Sequence, residues 1–326
     1  MISNDALSML MLCSLLGLEP DPGYKPLTLR QWNPLARKIQ ASSLERPGAL
    51  LGLSAHDLGI KLAIEPDLAE RIAELLARSG TIAIELERLE SIGIRVMTRA
   101  DAGYPERYRA RLKDAAPPVL FYSGEIALLG QKGLAIVGSR HLDAIGKQCA
   151  DWIGNSCGLS GMVLYSGGAK GVDSISMDAC LEARGTAVGV MANQMETAIR
   201  KPEYRTAIQR GDLCLIIPYL PSAPFNVGLA MGRNRLIYTL ADYAIVVASS
   251  ANKGGTWSGA TENLKNEWVP LFVVAYEGMP EGNHLLLELG AIALPLSIAE
   301  DYSILGSYLE EQSQDFQTTP TQPSLF

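Results

Sequence analysis

Histidine is scarce in this chain, with only His56, His141 and His284 among 326 residues. None stands at metal-ligand spacing from another donor, which leaves zinc centres and histidine-based triads without support. Cysteine offers no alternative. Cys13, Cys149, Cys157, Cys180 and Cys214 form no CxxC pair and mostly fall inside apolar runs, so they read as reduced thiols buried in the core of a protein from a reducing compartment. Positive charge is in deficit too. Against 35 Asp and Glu there are 28 Lys and Arg, a net charge of -7, which excludes a uniformly basic surface able to wrap a polyanion. Any contact with nucleic acid has to come from local cationic clusters. No membrane-length apolar run stands out either: the stretch from Ala6 to Leu18 lacks a basic flank and a small-residue cleavage site, and is too short to span a bilayer. It reads as the first core helix of a cytoplasmic protein.

What the chain has is the balance of a soluble globular protein, 48% hydrophobic and 19% charged. Residues 1–85 are rich in Leu and Ala, and helical spacing over 6–18, 49–62 and 66–78 predicts a small helical amino-terminal domain. A connector follows over 86–130, in which a helix ends at Gly93 and a strand begins. From 131 to 305 the alternation is regular. Strands are predicted over 134–137, 162–165, 187–190, 213–217, 244–247 and 271–274, and helices over 144–159, 174–184, 197–209, 230–240 and 259–268. The strands are continuous apolar runs, the mark of a parallel sheet covered on both faces. The predicted fold class is therefore α/β, a doubly wound Rossmann-like parallel sheet preceded by a small helical domain. Residues 306–326, rich in Gln, Ser, Thr and Pro, are expected to be a disordered tail.

Two glycine-rich turns carry the strongest chemical signal. In Gly133-Leu-Ala-Ile-Val-Gly-Ser-Arg140, Gly138 permits a tight turn out of the strand, Ser139 offers a hydroxyl, and Arg140 presents a planar fork suited to phosphate oxygens. In Ser166-Gly-Gly-Ala-Lys-Gly-Val-Asp173, three glycines let backbone N–H groups point into one concavity, Lys170 adds a mobile charge, and Asp173 can cap the next helix. Neither turn has the GxGxxG dinucleotide spacing or the Gly-Lys-Ser/Thr order of a P-loop. A third element, Met231-Gly-Arg-Asn-Arg-Leu-Ile237, would set Arg233 and Arg235 around Asn234 at the electropositive start of a helix, with one arginine facing a shared crevice. The fourth is another glycine-rich turn at the same sheet edge, Asn252 to Gly259, where Gly255 lies beside Thr256 and Ser258 as hydroxyl donors. There Trp257 either stacks a base or wedges the loop against the sheet.

The order GSR, SGGAKGVD, RNRLI, a glycine-rich turn, then Gly282-Asn-His-Leu-Leu and Leu289-Gly-Ala291 resembles the DNA-processing protein A (DprA/Smf) family. Upstream, Ile92-Gly-Ile-Arg-Val, Asp101, Tyr104-Pro105 and Pro118-Val-Leu-Phe-Tyr-Ser-Gly124 resemble the same family's lead into its Rossmann-like domain, so the likeness covers roughly residues 85–295. The resemblance implies a cytoplasmic protein that binds single-stranded DNA, forms a homodimer and helps load a RecA-type recombinase, in transformation, recombination or phage defence. By motif match it implies phosphate contacts from Arg140, Lys170, Arg233 and Arg235, with Ser139, Gly167 and Gly168 supplying hydroxyl and backbone donors. No catalytic residue, metal, cofactor or membrane contact is implied. The chain departs from the pattern at Gly168, Lys170 and Val172, where Leu, Arg and Ile are usual, and at Met177, where a histidine would follow. The family's Ser-Glu-Pro-like stretch is not recognisable in Ile216 to Pro221, and no winged-helix pattern follows the domain.

Two other functions fit a crevice of this kind. One is N-glycosidic hydrolysis of nucleoside monophosphates, as in the related lysine-decarboxylase-like (LOG) group, with Glu262 beside an oxocarbenium-like centre. The other is a module that senses a mononucleotide without turning it over.

Overall fold

The computed structural model describes residues 2–18, 23–299, 304–314 and 316, which divide into two compact units. The first is built from the chain up to Tyr122 together with Pro218–Pro221. Its helices are Asn4–Cys13, Leu29–Ala41, Ala55–Leu62, Pro66–Leu76, Ser79–Ser91 and Glu106–Leu112. Several begin where the sequence supplies a cap: Ser3 accepts from the Ala6 amide at 3.1 Å, Thr28 and Gln31 form a capping box, Ser54 accepts from the Asp57 amide at 3.1 Å, and Pro66 takes the first helical position. Apolar spacing did not anticipate Leu29–Ala41, which carries Pro34 inside it, nor Ser79–Ser91, which opens on the weak helix formers Ser79, Gly80 and Thr81. Leu10, Leu12, Trp32, Ile39, Leu50 and Ile72 are buried in this unit's core. Strand β1 (Arg95–Thr98) pairs antiparallel with β2 (Val119–Gly124), Arg95 opposite Tyr122.

The second unit, Ser123–Ile217 and from Ser222 onward, carries β3 (Gly133–Val137), β4 (Val163–Ser166), β5 (Ala187–Val190), β6 (Leu213–Ile217), β7 (Tyr243–Val246), β8 (Leu271–Ala275) and β9 (Ile292–Pro295). These run parallel in the order β6-β5-β4-β3-β7-β8-β9. From β3 the chain builds outward through β4, β5 and β6, then returns to lay β7 on the other side of β3, with Ile136 opposite Ile245. The order thus reverses between β3 and β7, and such a reversal opens a crevice at the carboxyl ends of the strands. Every residue of β3, β4, β5 and β6 is buried, as the continuous apolar runs require of a sheet covered on both faces.

The six predicted strands form within one residue of their expected ends, and β9 adds a seventh. It was missed because it is short, half-exposed and ends on Pro295, the signature of an edge strand. The helix expected over 197–209 is two, Met195–Ala198 and Pro202–Arg210, because Pro202 starts a new helix at its first position. Helices expected from 174, 230 and 259 begin earlier, at Val172, Val227 and Gly254. The tail expected to be unstructured from 306 instead falls within a helix, Leu305–Gln312, that buries Leu305 and Leu309. Leucines four apart share one helical face and can be buried together. The expectation for 317–326 lies outside the described residues.

Candidate nucleic-acid interface

The turn after β3 and the turn after β4 are packed directly on each other, and glycine makes this close approach available. A Cβ on Gly138 would fall 2.3 Å from Val172, and one on Gly171, whose φ is +96°, would fall 2.4 Å from the Ser139 carbonyl oxygen. Backbone bonds hold the pair: the Val172 amide donates to the Ser139 carbonyl at 3.3 Å, and the Ser139 amide donates to the Ala248 carbonyl after β7 at 2.9 Å. Three strand ends are thereby tied into one rim. The Ser139 hydroxyl accepts from the His141 amide at 3.1 Å.

Asp173 organises this rim from below. It is the second residue of Val172–Glu182 rather than its cap, and the carboxylate reaches back to accept from the Gly167 amide at 3.1 Å, with the Ala169 and Gly138 amides also directed at it. Burial pushes its carboxyl above the ordinary carboxylate range, against the opposing pull of Arg233 and these amides. The expected cap is thus a buried anchor joining both turns. Gly167 changes role with it: its amide is engaged by Asp173 instead of standing ready as a donor, and its missing side chain is what admits Arg233, whose Nη1 lies 1.8 Å from where a Cβ would be.

Arg233 and Arg235 sit in the second half of Val227–Tyr238, not at its start. The helix begins six residues before Arg233, because Asn226 caps it by accepting from the Leu229 amide at 3.1 Å. The expected pairing of both arginines with the electropositive end is therefore corrected. Arg233 is buried and lines the crevice, while Arg235 does not line it. Asn234 donates from Nδ2 to the Gly255 carbonyl at 2.8 Å and so fixes the helix Gly254–Asn266 against Val227–Tyr238. Gly255 and Thr256 lie in the first turn of that helix, not in a loop. A Cβ on Gly255 would meet Asn234 at 2.8 Å, so glycine is retained here for contact rather than for a turn.

Two adjoining crevices result, each of about 370 Å³. The first lies between the β3 turn and the helices Val227–Tyr238 and Gly254–Asn266, and is lined by Ser139, Arg140, Asn234, Gly255 and Thr256. The second is lined by Gly167, Gly168, Lys170, Gln194 and Lys201. Arg140, Phe225 and Arg233 border both. Arg140 and Lys170 are exposed, and the Arg140 guanidinium stands 5.1 Å from the centroid of the Phe225 ring. Among the lining residues of the two crevices the cations are Arg140, Lys170, Lys201, Arg233 and Lys253, against the single carboxylate of Asp173. A rim of that sign on a protein of net charge -7 is a local anion site. Trp257 and Glu262 line neither crevice, so the stacking role considered for the first and the catalytic role considered for the second have no place there.

Sequence reasoning missed Phe225, Lys201, Lys253 and Tyr238. Phe225 had one usable signal, an aromatic isolated among turn residues in Pro221-Ser-Ala-Pro-Phe-Asn226. The described residues contain no group of three or more His, Cys, Asp or Glu able to hold a metal, and no helix long and apolar enough to cross a membrane.

The architecture is similar to that of solved proteins. DNA processing protein A from Streptococcus pneumoniae superposes with a TM-score of 0.67 at 20% identity, over 94% of this chain and 98% of that one. DNA processing protein A from Helicobacter pylori, solved in a study of its single-stranded DNA binding mode, gives a TM-score of 0.54 at 21% identity, over 69% of this chain and 97% of that one. No curated protein sequence matches. The model of the DNA recombination-mediator protein A family matches residues 95–302, which span β1 through β9 and every residue of the rim. On that match the chain belongs to the DNA recombination-mediator protein A family.

Proposed function

We propose that the protein binds single-stranded DNA along this rim, with Arg140, Lys170 and Arg233 as its central phosphate-facing cations and Ser139, Gly168, Gly255 and Thr256 beside them. The observation that carries the reading is the convergence of cations from five separate segments on two adjoining crevices at the strand-order reversal. Family membership and the single-stranded DNA named for the H. pylori protein support it. A sugar-phosphate strand presents repeated anions at a spacing that several such cations can follow. Arg235, which lines neither crevice, is left out of the contact set. The remaining proposals rest on family resemblance: a homodimer, transfer of the bound strand to a RecA-type recombinase, and action in the reducing cytoplasm, consistent with the burial of Cys149, Cys157, Cys180 and Cys214.

Anisotropy of a labelled oligo-dT tests the binding itself. The expected result is submicromolar affinity for the single strand, much weaker retention of a duplex, and affinity lowered by roughly 25- to 100-fold in an Arg140→Ala, Lys170→Ala double variant that still folds. Equal affinity for single strand and duplex would overturn the reading. Mass measurement in solution tests the homodimer, which a monomer at micromolar concentration contradicts.

A further inference from the structure

Outside the rim, the second unit carries a charged groove that DNA binding leaves unused. It lies between Val172–Glu182 and Pro202–Arg210, which belong to the connections from β4 to β5 and from β5 to β6. Right-handed crossovers set such helices side by side on one face of the sheet, running in the same sense. The groove measures about 590 Å³, larger than either crevice of about 370 Å³. Leu181 and Ala207, both buried, form its floor.

The walls are charged in a definite order. Partial burial raises the Asp178 carboxyl above its ordinary value, Lys201 draws it back, and the carboxylates of Glu203 and Glu182 raise it further. Three like charges therefore gather toward one end. Arg210 follows Glu203 by seven residues, about 10 Å along its helix, and Arg184 follows Asp178 by six, so two guanidiniums mark the other end. Arg210 is paired with Asp212 at 2.7 Å. Asp178, Glu182, Glu203 and Arg184 form no salt bridge among the described residues. Like charges gathered without a counter-ion weaken a fold instead of supporting it, so stability does not account for these carboxylates.

We propose that this groove docks an amphipathic helix of a protein partner, whose lysines or arginines meet Asp178, Glu182 and Glu203 and whose acidic residues, about two turns further on, meet Arg184. A helix fits because a third helix can pack into the channel between two neighbours, laying its apolar stripe on Leu181 and Ala207. The order of charges then sets its direction. The carboxylates repel nucleic acid, which leaves protein as the occupant. Lys201 lines the second crevice and stands 5.1 Å from the centroid of the Tyr204 ring, while the next two residues, Pro202 and Glu203, line the groove. The partner is therefore held beside the second crevice without covering it. Docking itself does not depend on the single-stranded DNA reading.

The test titrates the full chain into a labelled synthetic peptide of about four helical turns, with leucines on one face, lysines near one end and glutamates about two turns on, at low salt. The expected affinity is about 10–100 µM, weakened at least about fivefold when the peptide's lysines become glutamines, and as much in an Asp178→Asn, Glu203→Gln variant. That variant should melt within about 2 °C of the wild type, because neither carboxylate forms a salt bridge in the fold. An Asp178→Lys, Glu203→Lys variant should lose the peptide and instead bind one whose lysines are replaced by glutamates. Saturating oligo-dT should leave the peptide bound. No binding at about 1 mM, equal affinity for the lysine and glutamine peptides, unchanged affinity in the Asp178→Asn, Glu203→Gln variant, or displacement by oligo-dT would each overturn the inference. The two peptides are compared on the wild type alone, so that comparison decides even where a variant does not fold. Failure of oligo-dT to bind would instead bring down the single-stranded DNA reading and leave the peptide measurements to stand.

Discussion

Asp173 and Arg233 show why residues that share a crevice need not share a role. Arg233 is 4% exposed and Asp173 6%, and the Arg233 charge leads the influences that offset burial at the Asp173 carboxyl. Removing one member of such a buried pair strands the other charge, at a cost of about 3–5 kcal/mol. Asp173→Ala is expected to lose that much in urea unfolding and to loosen both turns, because the Gly167 amide loses its acceptor as well. Lys170→Ala, at an exposed position, is expected to stay within about 0.5 kcal/mol of wild type in the same measurement while still weakening DNA binding. Equal destabilisation by the two variants would contradict this division of labour. Gly167→Ala tests the steric half: the added methyl occupies the guanidinium's place, so both stability and affinity should fall.

At the scale of the element, helix periodicity separates the two arginines. Residues two apart lie about 200° around an α-helix axis, so Arg233 and Arg235 cannot both face one crevice. Arg235→Ala is expected to change oligo-dT affinity by less than about twofold, whereas Arg140→Ala should lower it by about 5- to 10-fold, each phosphate contact being worth of order 1 kcal/mol. A larger effect at Arg235 than at Arg140 would place the strand on the wrong face. The same scale shows what was legible in the sequence. The β3, β4 and β7 runs could be read because parallel strands buried on both faces have no polar interruptions, and Gly138 and Gly171 because close backbone contact excludes a side chain. Helix starts at Val227 and Gly254 were misplaced because glycine lowers helix propensity, although Asn226 was a readable cap. Phe225 and Tyr238 were not legible as site residues, since whether an aromatic packs into a core or borders a crevice depends on the tertiary partner opposite it.

Across the whole molecule, the net charge of -7 opposes a polyanion while the rim attracts it. Binding is therefore short-ranged and confined, and screening acts on both terms at once. The most direct measurement of the account is the dependence of oligo-dT affinity on salt, for wild type and for Arg140→Ala, Lys170→Ala. Each phosphate contact on a single strand contributes about 0.7 to the slope of log affinity against log salt. With three to five rim cations on phosphates, the account predicts a wild-type slope of about -2 to -3.5 and a double-variant slope shallower by roughly 1.4. A wild-type slope near zero, or identical slopes in the two proteins, would contradict it.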